Sequence, residues 1–71
     1  MTNQQINDYF VSIIPMLENI VKGIAYKANK RIDTHAAINE SYIHLINNIG
    51  NFNNEDELQR IVIKFIRDTI S

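Results

Sequence analysis

The sequence predicts an all-α fold, a compact bundle of three to four helices, and three observations predict it. Apolar residues recur at three- and four-residue intervals along most of the 71 residues, the spacing of a buried helical stripe. Residues that start or stop helices stand between the apolar runs, at Pro15, Asp33-Thr34, Gly50 and Asn54. An apolar fraction of 45% is enough for a packed core and excludes a disordered chain.

The first stripe runs through Ile6, Phe10, Ile13 or Ile14, Leu17, Ile20 or Val21, Ile24 and Ala28. Pro15 falls inside it and has no N–H to donate to the preceding turn. Proline suits a first helical turn. A break or sharp bend is therefore expected, giving helices over about 3–14 and 15–29, with one kinked helix as the alternative. Gly23 costs about 1 kcal/mol relative to alanine in a helix, and close approach of another helix is the packing reason expected for it.

Asn29 to Asp33 form a polar connection, and Asp33 or Thr34 caps the next helix, expected over about 34–49. Its buried side is Ala37, Ile38, Ser41, Tyr42, Leu45, Ile46 and Ile49. Asn39, Glu40, Ile43, His44 and Asn47 face away. Gly50 stands where a left-handed terminating residue is wanted, and Phe52 can fold back over the helix end. The last helix, over about 55–70, opens with Asn54 as cap and Glu57 three positions on, a pattern close to a capping box. Glu55, Asp56 and Glu57 suit the positive end of its dipole. Leu58, Ile61, Val62, Phe65, Ile66 and Thr69 form its apolar face, with Gln59, Arg60, Ile63, Lys64 and Arg67 opposite.

Composition narrows the function classes. The chain has no cysteine, so neither disulfides nor thiolate metal sites can staple it. A net charge of −1 supplies no global attraction for nucleic acid, so any such contact needs a local patch. No apolar run approaches the roughly 20 residues that span a bilayer. The opening residues lack the basic and apolar parts of a signal peptide, so a cytoplasmic chain without membrane partners is expected. His35 and His44 stand nine residues apart, not on one helical face, and no metal or other cofactor is expected. Ser12, Ser41 and Ser71 have no histidine and acid partners from which to build a triad. The expected role is binding, not catalysis.

Residues 20–27, 38–45 and 58–67 are three segments that resemble region two of the bacterial sigma factors. Ile20-Val21-Lys22-Gly23-Ile24-Ala25-Tyr26-Lys27 is similar to that family's run of leucine, valine, two basic residues, isoleucine and alanine. Ile38-Asn39-Glu40-Ser41-Tyr42-Ile43-His44-Leu45 is similar to its next helix, with Phe52 at the matching distance and Asn39 in place of a glutamine. In the family that helix lies on a coiled coil of a largest RNA polymerase subunit. The resemblance therefore nominates Asn39 and Glu40, and also Tyr42 and Ile46, as contacts to the polymerase core. Tyr42 and Ile46 also fall on the apolar face and read equally as core. Ile43, alone among polar neighbours, would be the dry centre of such a patch. The final segment, Leu58 to Arg67, resembles the family helix that captures promoter DNA. Arg60, Lys64 and Arg67 stand at i, i+4 and i+7 on one face, within reach of successive phosphates.

The departures matter as much. His35-Ala36 replace the acidic pair that precedes the polymerase-facing helix. Ile61, Val62 and Ile63 stand where the family has aromatics for stacking unpaired bases, and Phe65 is expected in the core. Polymerase binding is thus a stronger expectation than promoter opening. Two rival readings stay open: a helical interaction or structural protein that binds itself or another protein, and a virus-encoded inhibitor occupying the sigma site.

Overall fold

Thr2 opens the first helix, α1 (Asn3–Ala28), with a complete capping box. The Thr2 N–H donates to Gln5 Oε1 at 2.9 Å, and the Gln5 N–H donates to Thr2 Oγ1 at 3.1 Å. Two further helices follow, α2 (Thr34–Ile46) and α3 (Glu55–Ile70), with a single 3₁₀ turn over Ile49–Asn51 between them. The structure, a computed structural model, describes residues 1–70; Ser71 lies outside them. The bundle therefore has three α-helices among the described residues, not four.

The break expected at Pro15 is absent, because α1 runs through it. Pro15 and Val11, whose carbonyl loses its partner, both lie on the exposed side, where water can serve that carbonyl. Ile13 and Leu17, on either side of Pro15, are buried in the same core, so a break would pull one half of the stripe out of register. Packing on one face outweighs a missing bond on the other. Gly23 is also corrected: a Cβ there would meet nothing within 4 Å, so no helix approaches it.

The left-handed residue expected at Gly50 occurs instead at Asn29, with φ 51° and ψ 46°. There the Lys30 N–H donates to the Ala25 carbonyl at 3.0 Å, closing α1. At the end of α2 asparagine side chains perform that task. Asn48 Nδ2 donates to the His44 carbonyl at 2.7 Å, and Asn51 Nδ2 to Asn48 Oδ1 at 2.9 Å. The chain tightens into the 3₁₀ turn, so α2 ends at Ile46 rather than near residue 49. The caps at the other starts match expectation. Ala36 N–H donates to Asp33 Oδ1 at 3.1 Å and Glu57 N–H to Asn54 Oδ1 at 2.9 Å. The return bond of the last cap runs side chain to side chain, from Asn54 Nδ2 to Glu57 Oε1 at 3.1 Å.

Ile6, Phe10, Ile13, Leu17 and Val21 make the buried stripe of α1, at helical spacing. Leu58, Val62 and Ile66 of α3 and Ala37, Ile38 and Leu45 of α2 close on it, and Phe52 seals the α2–α3 connection at 2% exposure. The Tyr9 hydroxyl donates to Gln59 Oε1 at 2.9 Å, tying the start of α1 to the start of α3. The Tyr42 ring meets Phe10 edge-on at 5.0 Å, and its hydroxyl reaches Asn7 Oδ1 at 3.4 Å. These contacts set the directions: α2 runs back along α1, and α3 runs parallel to α1. Ser41 is buried yet satisfied, its Oγ donating to the Ile38 carbonyl at 2.7 Å. The long axis of 37 Å is close to the roughly 39 Å that α1 spans at 1.5 Å per residue. Its last two turns carry no fully buried residue, and there only Ile24 packs on the core.

Pro15→Ala restores a backbone bond without removing a buried contact, and should stabilise the chain by about 1–3 kcal/mol. A urea or thermal melt that stays put or moves down refutes the view that Pro15 is tolerated rather than used. Tyr9 supplies a pH prediction. Burial, then the charges of Glu55 and Asp56, raise its phenol above the ordinary 10.0. A raised folded-state value means that the contribution is full below the unfolded value and is lost as pH climbs through the folded one. Wild-type stability should therefore fall more steeply above about pH 10 than that of Tyr9→Phe, followed by urea midpoints across alkaline buffers.

Candidate functional site

Because α2 spends Ala37, Ile38, Ser41 and Leu45 on the core, its opposite side is turned outward. Asn39, Glu40, Ile43 and Asn47 are all exposed there, Ile43 to 60%. Ile43 lies four residues after Asn39 and three after Glu40, so an amide and a carboxylate flank an apolar centre within one turn. Tyr42 and Ile46 are half-buried and pack on the core, between this face and α1. The outward patch is thus narrower than the sequence nominated: Asn39, Glu40, Ile43 and Asn47.

Phe65 is the main correction. Expected in the core, it is only half-buried and lies outside the buried cluster, on the seam between α3 and α2. Its ring stacks on His44 with centroids 4.3 Å apart and planes at 17°. His44, expected at the surface, is half-buried by the same contact. Glu40, Ile43, His44, Asn47 and Phe65 together line a shallow hollow of about 310 Å³. On the other side of the stack a second hollow, of about 510 Å³, includes Ile61, Lys64 and Asp68. The surface that the sequence placed on one helix is therefore shared by two. Phe65 sits beside Ile61 at the edge of the α3 apolar arc, and periodicity alone cannot separate edge from centre. His44 gave no signal, because its environment comes from another helix.

Arg60, Lys64 and Arg67 are all exposed on the side of α3 away from the core. Arg67 borders a hollow with Asn19, Ile20, Gly23, Ile24 and Lys27 of α1, so the stripe ends against the first helix. Ile63, expected among these polar residues, is half-buried and packs on the core, while Thr69 is exposed where burial was expected. Thr69 follows Phe65 by four residues on the edge of the arc, while Ile66 and Ile70 turn to the core. Val62 is buried and Ile61 half-buried, and the one aromatic of this helix, Phe65, borders the same hollow as Lys64 with its ring stacked on His44.

Among the described residues no group of three His, Asp or Glu side chains comes together as a metal site. No helix is long and apolar enough to cross a membrane. No family model, curated protein or solved structure matches the chain.

The seam position of Phe65 predicts a contrast in stability. Phe65→Ala should cost about 1 kcal/mol, mostly the lost ring stack. Leu58→Ala, at 0% exposure, should cost about 2–5 kcal/mol. Equal losses in urea denaturation would place Phe65 in the core after all.

Proposed function

We propose that the chain is a docking module for the RNA polymerase core, as its resemblance to sigma region two implies, working by binding and not by chemistry. Asn39 and Glu40 are the polar contacts, and Ile43 is the apolar centre. The observation that carries this reading is the exposure of all three residues in one turn of α2, on the side opposite its buried stripe. A carboxylate and an amide around a dry residue are suited to a basic, helical partner surface. The coiled coil of a largest polymerase subunit is such a surface in the family resembled. Tyr42 and Ile46 support the patch from beneath by fixing α2 on the core.

The stripe Arg60, Lys64 and Arg67 serves as the DNA-facing side of the same module. Its exposure supports phosphate contact. The one aromatic of α3, Phe65, has its ring stacked on His44, which favours holding DNA over opening it. One observation favours a second reading, a helical interaction module with a different protein partner. The Phe65–His44 stack extends the apolar surface around Ile43 beyond the residues that carry the resemblance.

Pull-down with core polymerase tests the first reading. Glu40→Lys reverses a charge at the patch and should reduce recovery by about thirtyfold, the scale of a lost interfacial charge contact. Equal recovery of wild type and variant removes polymerase docking through α2. Capture of the chain by itself in the same assay, lost on Ile43→Asp, selects self-association instead.

A further inference from the structure

We infer that the free end of α1, with the connection that follows it, is a single-strand nucleic-acid contact in which Tyr26 supplies the stacking surface and Lys22, Lys27, Lys30 and Arg31 hold phosphates. This goes beyond polymerase docking and does not rest on it. It also differs from the α3 stripe, because it uses another helix and a ring that is 88% exposed, whereas Phe65 of α3 is half-buried against His44.

Four of the seven cations of the chain stand within residues 22–31, and all four are exposed. They gather where the cover of α1 thins: Val21 is its last fully buried residue, and Ile24 and Ile32 pack on the core only in part. Tyr26 lies four residues after Lys22, on the same side of the helix, and is 88% exposed, the most of any large hydrophobic side chain in the described residues. Beside it, Ala25, Asn29, Lys30 and Arg31 complete a shallow hollow of about 550 Å³. The left-handed turn at Asn29 directs the chain away from the helix axis and carries Lys30 and Arg31 to the rim of that hollow.

Cations near a helix C-terminus are favourable with its dipole. That explains Lys27 in the last turn. It does not explain Lys22, more than a turn earlier, or a tyrosine ring left in water. Phosphates between cations, with a base stacked on a ring, account for all of these together. The rest of the charge agrees. Glu55 and Asp56 act on Tyr9 near the start of α1, and Asp8 precedes Tyr9 in the chain. Half of the eight acids, Asp8 and Glu55 to Glu57, thus lie toward the opposite end, while Asp33 and Asp68 lie near the four cations and Arg67, which leaves this end net positive. Lys27 and Arg67 border one hollow, which brings the end of the α3 stripe to this site. A duplex keeps its bases stacked on one another, so an isolated ring at a helix end suits a single strand.

The test is fluorescence anisotropy of the full chain with a labelled oligothymidine of about twelve nucleotides, over roughly 50–200 mM salt. Tyr26→Ala should weaken binding about tenfold and leave the salt slope unchanged, whereas Tyr26→Phe keeps the ring and the affinity. The double change Lys30→Ala, Arg31→Ala should flatten the slope by about 1.4, near 0.7 for each cation removed from a single strand. Three results overturn the assignment: full affinity in Tyr26→Ala, a duplex of equal length bound as tightly as the single strand, or a slope that responds to Arg60→Ala, Lys64→Ala and not to the α1 pair. Binding to phosphatidylserine vesicles with the same dependence on Lys30 and Arg31, without binding to oligothymidine, overturns it in favour of a membrane surface. Glu40→Lys should leave every oligothymidine result unchanged, so a failed polymerase pull-down and a failed anisotropy series are read separately.

Discussion

The structure depends on one seam, where the apolar stripe of α1 receives the stripes of α2 and α3. With no disulfide, and no metal cluster among the described residues, burial along this line must hold the fold. Small domains bury a modest share of their surface and have little stability in reserve. Ile6, Leu17, Val21, Leu45, Leu58 and Val62 are each at 0% exposure, which shows how completely the seam is closed. It also explains why α1 is continuous. A helix interrupted at Pro15 could present either Ile13 or Leu17 correctly, but not both.

Because each helix spends one side on the seam, its other side is free for partners, and the seam fixes how those sides face one another. The α2 patch around Ile43 and the α3 cations are held at a set angle by the core between them. The Phe65–His44 stack joins their near edges. Three helices around a filled core leave shallow hollows on the surface. The near-zero net charge hides an uneven distribution along the molecule, with Asp8 and Glu55 to Glu57 near the starts of α1 and α3 and Lys22, Lys27 and Arg67 toward their ends. Parallel packing of α1 and α3 turns two local charge gradients into one.

Much of this was legible in the residues. The caps at Asp33 and Asn54, the stripes of all three helices and the fold-back of Phe52 follow from local chemistry, because side-chain oxygens and helical spacing act within a few residues. The misreadings share a cause. Pro15 was judged by its local cost, whereas the buried stripe on the other side of the helix decides whether that cost breaks the chain. Residue preference puts the left-handed turn at Gly50, but Asn48 Nδ2 donates to the His44 carbonyl, held by a bond from Asn51 Nδ2 to Asn48 Oδ1, and the chain closes there without such a turn. Asn29 took it at the other helix, where the backbone bonds to Ala25 and Tyr26 require it.

The sequence by itself determined that the chain is helical, where α1, α2 and α3 begin, and that Asn39, Glu40, Ile43, Arg60, Lys64 and Arg67 face outward. Those properties come from periodicity and from short-range hydrogen bonding. Only the tertiary structure decided that Phe65 and His44 leave core and solvent respectively to meet on a shared seam, and that Tyr42 and Ile46 belong beneath the patch. It also decided that the basic end of α1, held to the core through Ile24, lies beside Arg67. These depend on the direction and offset with which helices pack, and no spacing within a single helix encodes its neighbour.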